Sequence, residues 1–505
     1  MPLSPHDSAR LVPHDGARLV IVSNRVPAPQ DRSAQAGGLA VALADGVPPG
    51  SLWFGWSGKR SANPAPPAVQ LSHGIAYATT DLTPAEYQTY YQGFSNAALY
   101  PLLLHRIGLL RFRSDEYEGY RLVNARFAAV LAPLLRPGDR IWVHDYHLFT
   151  LPEELRARGF TGPVGFFLHT PFAPAGLFTA LPRAAALLRG LCAADVLGFQ
   201  TALDRANFRD TAERLLGAQP NGADALRHDG RLVRLVVTPV GIDADGFAAT
   251  ARAASTDTAT HRLADSLGDR ALVFSVDRLD YTKGLPERVA AIGQLFDRHP
   301  GWRRRVNFLQ VAATSRQDVG EYQRLRREMD RVVGDLNGRV GEPDWTPLRY
   351  MTRPVRRSSL AGFHRLSDVG LVTPLRDGMN LVAKEFVAAQ DEADPGVLVL
   401  SAFAGAAESM DAALVVNPFD AESVADTLDL ALRMDLAERQ ARHAALLARV
   451  REDTAQQFCA RFLAALNAVA QPATVPKAPL RPSSPKPPSS KPSSPRASQP
   501  KGAVA

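Results

Sequence analysis

Short apolar runs alternate with longer amphipathic stretches from residue 19 onward. In the first half the runs are Leu19–Val22, Arg140–Val143, Val164–Leu168, Val196–Phe199 and Leu232–Val237. In the second half they are Leu272–Val276, Val306–Val311, Val369–Val372, Val397–Leu400 and Ala413–Val416. Most are rich in β-branched or aromatic residues, are bounded by Gly, Pro or Asp, and are spaced widely enough for a crossover helix. This pattern predicts an α/β protein built on parallel strands. So many strands exceed one comfortable doubly wound sheet, and TPVGID, Thr238–Asp243, supplies turn chemistry that links two of them mid-chain. The expected architecture is two Rossmann-like domains with parallel sheets facing a central cleft. The first spans 18–238 and the second 239–454, with a last helix over 455–470 crossing back to the first. Ligands of such sheets bind beyond the carboxyl ends of the strands, so candidate chemistry is sought just after each run.

The two ends of the chain read differently. LSPHDSARLV at 3–12 recurs almost unchanged as LVPHDGARLV at 11–20, a local duplication that makes 1–17 an extension without expected order. The segment 471–505 holds ten Pro, seven Ser and six basic residues and no acid, a composition that cannot bury enough apolar surface to offset chain ordering. It is expected to be disordered, either as a solubilising tail or as a basic Pro-rich ligand for a partner or an anionic surface.

Charge changes the picture once it is located. The formal net charge is +7, but removing the six tail cations leaves +1 for residues 1–470, so the globular part offers no case for nucleic-acid binding. Cys192 and Cys459 are the only cysteines, too few for a disulfide framework or a CxxC metal site, and a reducing cytoplasm is the expected home. The longest window without Asp, Glu, Lys or Arg, Thr161–Pro182, carries His169 and four prolines; it reads as a buried strand entering a loop and not as a membrane span.

Several strand ends carry candidate chemistry. After the first strand come SNRVP and then AGGLA, where Gly37 and Gly38 let backbone NH groups approach a phosphate or simply form a tight loop. WVHDYH puts His144, Asp145 and His147 at a strand end, open to a metal but more natural with Asp145 as a hydroxyl-binding carboxylate. FFLHTPF ends on His169, either a core imidazole or a polar contact to ligand. In SVDRLDYTKGLPER, Arg278 and Lys283 can deliver two cations to one diphosphate, or stand in a solvated loop. VTPLRDGMNLVAKEF is the densest segment: Asp377 for a sugar, the NH groups of Leu381 and Val382 for phosphate oxygens, and Glu385 for both ribose hydroxyls. Asp377 and Glu385 as exposed helix charges remain the alternative.

Taken together, SNR, AGGL, FGWSG, YYQGFSNAALYP, WVHDYHL, FFLHTPF, DVLGFQT, RLDYTKGLPER, ATSR, SDVGLVTPLRDGMNLVAKEFVAAQ and FAGAA stand in the order found in trehalose-6-phosphate synthases, and the chain resembles that family over about residues 18–470. The resemblance implies a retaining glycosyltransferase of the GT-B type. Such an enzyme moves glucose from UDP-glucose to the anomeric hydroxyl of glucose 6-phosphate, releases UDP, and needs no metal or other cofactor. Homo-oligomers are common in the family. Position by position, the resemblance implies that Arg25, Tyr91 and Arg316 hold the acceptor phosphate and that Asp145 holds the acceptor sugar near the reacting hydroxyl. His169 matches a residue at the donor glucose, and Gly37 and Gly38 the donor-phosphate loop. Arg278 and Lys283 match the pair on the diphosphate, and Asp377 the donor-sugar carboxylate. Leu381, Val382, Ala383, Lys384 and Glu385 match the nucleotide-binding stretch.

The implied mechanism has no carboxylate nucleophile. It is front-face attack, in which the departing UDP oxygen helps deprotonate the acceptor while Arg278 and Lys283 offset diphosphate charge. Three positions depart from the family pattern. Tyr100 stands where many bacterial members have Trp, Thr170 and Ala173 replace Ile and Pro of HIPFP, and Val355 stands where a Phe often flanks the uracil. The last leaves ADP- or GDP-glucose open as donors. Two rivals share the architecture: a synthase with another acceptor, such as a glucosylglycerol-phosphate synthase, and a non-catalytic sugar-phosphate sensor.

Overall fold

The computed structural model describes residues 17–26, 46–314 and 320–470. Gly37, Gly38, Arg316 and the tail 471–505 lie outside the described residues, as does all but the end of the N-terminal extension. Each apolar run named above falls on a strand. The first sheet contains β1 (Leu19–Arg25), β2 (Leu52–Arg60), β3 (Ala68–Ser72), β4 (Ile75–Leu82), β5 (Arg140–His144), β6 (Val164–Phe167), β7 (Val196–Phe199), β8 (Gln219–Pro220), β9 (Ala225–His228) and β10 (Arg231–Val237). Their order is β3-β4-β2-β1-β5-β6-β7-β10-β9-β8. The pairings from β4 through β10 are parallel, and only the short edge strands β3, β8 and β9 run antiparallel to their neighbours.

The second sheet is wholly parallel. It contains β11 (Ala271–Arg278), β12 (Val306–Ala313), β13 (Leu348–Met351), β14 (Val369–Val372), β15 (Val397–Ser401) and β16 (Leu414–Val416), in the order β13-β12-β11-β14-β15-β16. In both sheets the first strand sits centrally and the chain winds outward in both directions. The order therefore reverses between β1 and β5 in one sheet and between β11 and β14 in the other. Crevices open at such switch points, beyond the strand ends. Arg25 and Asp145 follow β1 and β5; Arg278 ends β11, and Asp377 follows β14.

Burial follows from this layering. Strands β5, β6, β7, β14 and β15 are buried at every position, because helices cover both faces of a parallel sheet. One covering helix is supplied from the far end of the chain. Helix Ala455–Ala470 lays Phe462 flat on Trp142 of β5, with ring centroids 4.6 Å apart and planes 10° from parallel, and sets Phe458 edge-on to Phe167 of β6 at 4.8 Å. The Phe462 ring reaches this depth because β6 and β7 carry glycines under it: a Cβ on Gly165 or Gly198 would come within 2.6 to 2.7 Å of the ring. The two sheet regions also meet through Glu408, which accepts hydrogen bonds from the Ala202 and Leu203 NH groups at 3.1 and 3.3 Å. These NH groups open helix Ala202–Leu216, where a carboxylate is favoured by the helix dipole.

Phe462→Ala is expected to destabilise the protein by about 3–5 kcal/mol, since it empties a fully buried ring site. A urea-unfolding midpoint unchanged from the native protein would refute this reading of the helix.

Candidate functional site

The strand ends of the first sheet are fixed by side-chain bonds before any ligand is considered. Ser23 accepts a hydrogen bond from Trp53 Nε1 at 2.8 Å, and Asn24 Oδ1 accepts one from the Tyr90 hydroxyl at 2.8 Å. The next residue, Arg25, is exposed and pairs in register with Trp56 of β2. Trp56 packs against Tyr91 at 5.5 Å, and the Arg25 guanidinium lies beside Gly58, two residues further along β2. Tyr91 lies on Tyr87–Leu99, a wide helix with π-type hydrogen bonding, a form that recurs at functional sites. Its ring stacks on His147 at 5.9 Å. Asn96 donates to the Tyr91 carbonyl at 2.6 Å and accepts from the Tyr146 hydroxyl at 3.0 Å, which ties this helix to the turn after β5.

Asp145 occupies that turn in a strained conformation, φ 73° and ψ 166°, a region that side-chain-bearing residues avoid. Its NH donates to the Phe167 carbonyl at 2.8 Å and its carboxylate accepts from the His169 NH at 3.3 Å. These two bonds hold the carboxylate at the β5–β6 end, where backbone preference alone would not place it. His144, one residue earlier, is fully buried, and its Nδ1 lies 3.0 Å from His169 Nε2. Gln200 completes a relay. Its carbonyl accepts from the Val240 NH at 2.9 Å, leaving its amide to donate to His169 Nδ1 at 3.4 Å. His169 is then protonated on Nε2 and donates to His144. Burial pushes His169 down to about 3; burial, and then the neighbouring His169, push His144 well below its ordinary value. Both rings are neutral at physiological pH. Both ring nitrogens of His169 are engaged within the protein, so a sugar hydroxyl reaches it only by displacing the long Gln200 contact. Among the described residues no three His, Cys, Asp or Glu side chains gather in a metal-binding arrangement, and His144, Asp145 and His147 do not do so.

The cations come from the second sheet. Lys283 forms an ion pair with Asp377, across 94 residues of sequence. Burial opposes the lysine charge, but Asp377 and Asp277 outweigh it and hold the pKa above its ordinary value. Arg278 is exposed at the end of β11. Arg288 braces the loop between them: it bonds Asp277 and Gln310 at 2.6 Å, Thr373 at 2.9 Å and the Lys283 carbonyl at 3.2 Å. Asp377 also accepts from Asn380 Nδ2 at 3.0 Å. Asn380, at φ 79°, caps helix Leu381–Ala389 by accepting from the Ala383 NH at 3.3 Å. The NH groups of Leu381 and Val382, at the start of that helix, have no intrahelical acceptor and suit an anion.

Two of the expected nucleotide contacts are qualified by this geometry. Lys384 is buried and turned away, its Nζ 3.2 Å from the Val240 carbonyl and 3.6 Å from Asp453. Its side chain holds the linker between the sheets, so any part it takes at a nucleotide passes through its backbone. Glu385 faces Arg357 at 3.4 Å; burial raises its pKa and Arg357 works against that rise. Val355 is half-buried beside a small cluster that includes Phe363. What joins the two sets of residues is Gly378, whose backbone lies directly on His169 and Thr170: a Cβ there would run into the His169 carbonyl. Asp145, His169, Lys283 and Asp377 thus gather around one backbone contact between the two sheets.

The family model for glycosyltransferase family 20 matches residues 17–468. The chain belongs to glycosyltransferase family 20. Its fold is the family's GT-B arrangement of two parallel-sheet α/β domains. A curated trehalose-6-phosphate synthase of Klebsiella pneumoniae is 45% identical over 446 residues, covering 88% of this chain and 94% of that one. The crystal structure of an α,α-trehalose-phosphate synthase (UDP-forming) from Burkholderia vietnamiensis is 47% identical, with a TM-score of 0.87 over 90% of this chain and 99% of that one. A Burkholderia xenovorans synthase of the same description, in complex with glucose-6-phosphate, is 43% identical with a TM-score of 0.86, covering 89% and 100%.

Within this family 20 chain, the motifs located the strand ends but not the residues that hold them. Gln200, Asn96, Asp280 and Arg288 lie inside the motif blocks, yet nothing in spacing separates them from ordinary polar residues. Their partners stand from 2 to 180 positions away. The neutral histidine pair has a titration consequence. The imidazoles of His144 and His169 are expected to show no protonation between pH 8 and 5 in histidine-labelled protein followed by nitrogen NMR. Because His169 titrates near 6.5 when unfolded and about 3 when folded, the unfolded chain takes up the proton first. Its contribution is therefore present above pH 6.5 and lost as pH falls toward 3. A His169 resonance titrating near 6.5 in the native protein would refute the assignment.

Proposed function

We propose that this protein transfers glucose from UDP-glucose to the anomeric hydroxyl of glucose 6-phosphate with retention, giving α,α-trehalose 6-phosphate and UDP. The observation that carries the reading is the Lys283–Asp377 pair, which stands beside Arg278 and the free start of helix Leu381–Ala389 and touches the Asp145–His169 turn through Gly378. Family membership fixes the reaction class. The relatives are described as UDP-forming, and one binds glucose-6-phosphate. A product made of trehalose and one phosphate, formed from that acceptor with release of UDP, requires the donor to contribute one glucosyl unit.

In this reading the donor diphosphate lies across Arg278, Lys283 and the NH groups of Leu381 and Val382. Gly37 and Gly38 match the family's donor-phosphate segment, Ala383 and Lys384 contribute backbone, and Glu385 takes the ribose beside Val355. Asp377 and His169 hold the donor sugar, while Arg25, Tyr91 and Arg316 hold the acceptor phosphate. Residues 18–238 supply the acceptor half, 239–454 the donor half, and the helix over 455–470 returns to the first. Asp145 orients the acceptor hydroxyl toward the anomeric carbon, where fixed geometry replaces collision. The bond from that carbon to the diphosphate oxygen breaks, and the acceptor oxygen bonds to the same face. The acceptor proton passes to the departing phosphate oxygen. Arg278 and Lys283 stabilise the charge that develops there, at a site where they need no reorganisation. The neutral histidines add no competing charge. The buried Cys192 thiol, pushed up to about 12, suits a reducing cytoplasm. Among the described residues no helix is long and apolar enough to cross a membrane.

Release of UDP by the purified protein tests the reading, with UDP-glucose and glucose 6-phosphate supplied together and separately, and ADP-glucose, GDP-glucose and glycerol 3-phosphate as alternatives. UDP release that depends on glucose 6-phosphate is expected. Arg278→Ala should lower turnover about 10²–10³-fold while leaving acceptor affinity within about threefold. Saturable sugar-nucleotide binding with no turnover for any pair would replace the synthase by a sensor.

A further inference from the structure

Asp280 lies between the two diphosphate-directed cations, two residues after Arg278 and three before Lys283, and is completely buried. A buried carboxylate demands donors, and this one receives them from three parts of the chain. Oδ1 accepts from the Thr282 NH at 3.0 Å and the Thr282 hydroxyl at 2.9 Å, which shapes the loop locally. Oδ2 accepts from the Tyr322 hydroxyl at 3.1 Å and from the Tyr100 hydroxyl at 3.0 Å, with the Arg278 guanidinium at 3.8 Å from the same oxygen. Tyr322 lies on helix Gly320–Val340 of the second sheet region. Tyr100 belongs to the first, where it opens helix Tyr100–Leu103 directly after the wide helix that carries Tyr91.

The Tyr100 ring leans on Tyr146 at 5.6 Å, next to Asp145, and on Tyr281 at 6.0 Å. Tyr146 bonds Asn96, which in turn holds the Tyr91 carbonyl. On the other side, the Thr282 carbonyl accepts from the Leu375 NH at 2.8 Å, two residues before Asp377. One buried oxygen therefore joins the helix bearing Tyr91 and the turn bearing Asp145 to the loop bearing Arg278, Lys283 and, through Leu375, Asp377.

We propose that Asp280 and Tyr100 are positioning residues that couple the two half-sites, so that occupancy of the acceptor site strengthens binding at the diphosphate site and the reverse. The proposal rests on the functional reading above. The hydroxyl of Tyr100 reaches from the first sheet region to Asp280, whose other donors described above belong to the second. When the acceptor seats against Tyr91 and Asp145, the Tyr100 ring is fixed through Tyr146; its hydroxyl then fixes Oδ2, and with it the orientation of the adjacent guanidinium. The diphosphate, bound by Arg278 and Lys283, fixes the same oxygen from the other side. Such coupling is reciprocal by thermodynamic necessity.

The test is calorimetric titration of UDP with and without glucose 6-phosphate, and of glucose 6-phosphate with and without UDP, on the full chain. In the native protein each ligand should tighten the other by at least about fivefold. In Tyr100→Phe, which keeps the ring and removes the hydroxyl, that factor should fall below about twofold while each ligand alone binds within about threefold of native. At saturation kcat should drop about tenfold with both KM values within about threefold, the size expected for a lost hydrogen bond to a charged group. Asp280→Asn, which keeps the shape and weakens the acceptor, should reproduce the loss, and covers the case in which Tyr100→Phe folds poorly. Unchanged coupling in a folded Tyr100→Phe protein, or no coupling in the native protein, overturns the proposal. Failure of the native protein to bind glucose 6-phosphate at all removes the functional reading, and this coupling with it.

Discussion

Two backbones touch where the two sheets meet, and most of the site's geometry depends on that contact. Gly378 lies on the carbonyl of His169, and Gly405 lies in turn on the carbonyl of Gly378, each so close that a Cβ would collide. Three loops from two sheets are thereby stacked without side chains between them. The turn after β14 cannot shift without moving the turn after β6, and Asp377 is held by backbone bonds to Phe403 and Gly405 on one side while its neighbour presses on His169 on the other. The separation of the donor carboxylate from Asp145 is set by packed backbone, which deforms far less readily than a pair of long side chains.

Around this contact the charges are sorted by environment. His144 and His169, near the acceptor turn, are buried and neutral, whereas the second sheet supplies fixed cations with carboxylates beside them. Lys283 keeps its proton because Asp377 and Asp277 compensate its burial, and Arg288 closes the loop behind it with four bonds. An anion entering the crevice meets donors already oriented and need not reorganise them. Asp145 contributes strain to the same design: its backbone conformation is costly for any residue with a side chain, and it is held by the Phe167 carbonyl and the His169 NH.

The architecture was legible in the sequence because parallel strands buried on both faces must be continuous apolar runs, and every such run became a strand. Six strands carry none of those runs: β2, β3, β4, β8, β9 and β13. β2, LWFGWSGKR, has glycines inside and charges at its end; β3 is exposed along its length; β13 is four residues with an arginine among them. The site was legible as motifs at strand ends. Its internal order was not: the partnership of Lys283 with Asp377, the reach of Tyr100 to Asp280, and the withdrawal of Lys384 to the linker are long-range facts that only the folded chain contains. Lys384 is instructive, since its neighbours Ala383 and Glu385 sit in the expected stretch while helical geometry sends it to the opposite face.

The return of helix Ala455–Ala470 to β5 and β6 bears on how the chain is made. Translation delivers β1 to β10 first, yet the aromatic cover for Trp142 and Phe167 arrives with Phe458 and Phe462, more than two hundred residues after β10. Through most of synthesis the earlier sheet must wait with one face open, although domains usually complete themselves in order as they emerge. That open face carries Trp142, Phe167, Gly165 and Gly198, an apolar strip with no side chain at its glycines. The nascent protein is thus most exposed to misassociation in the interval between finishing its first sheet and finishing its last helix, and chaperone demand should be concentrated there.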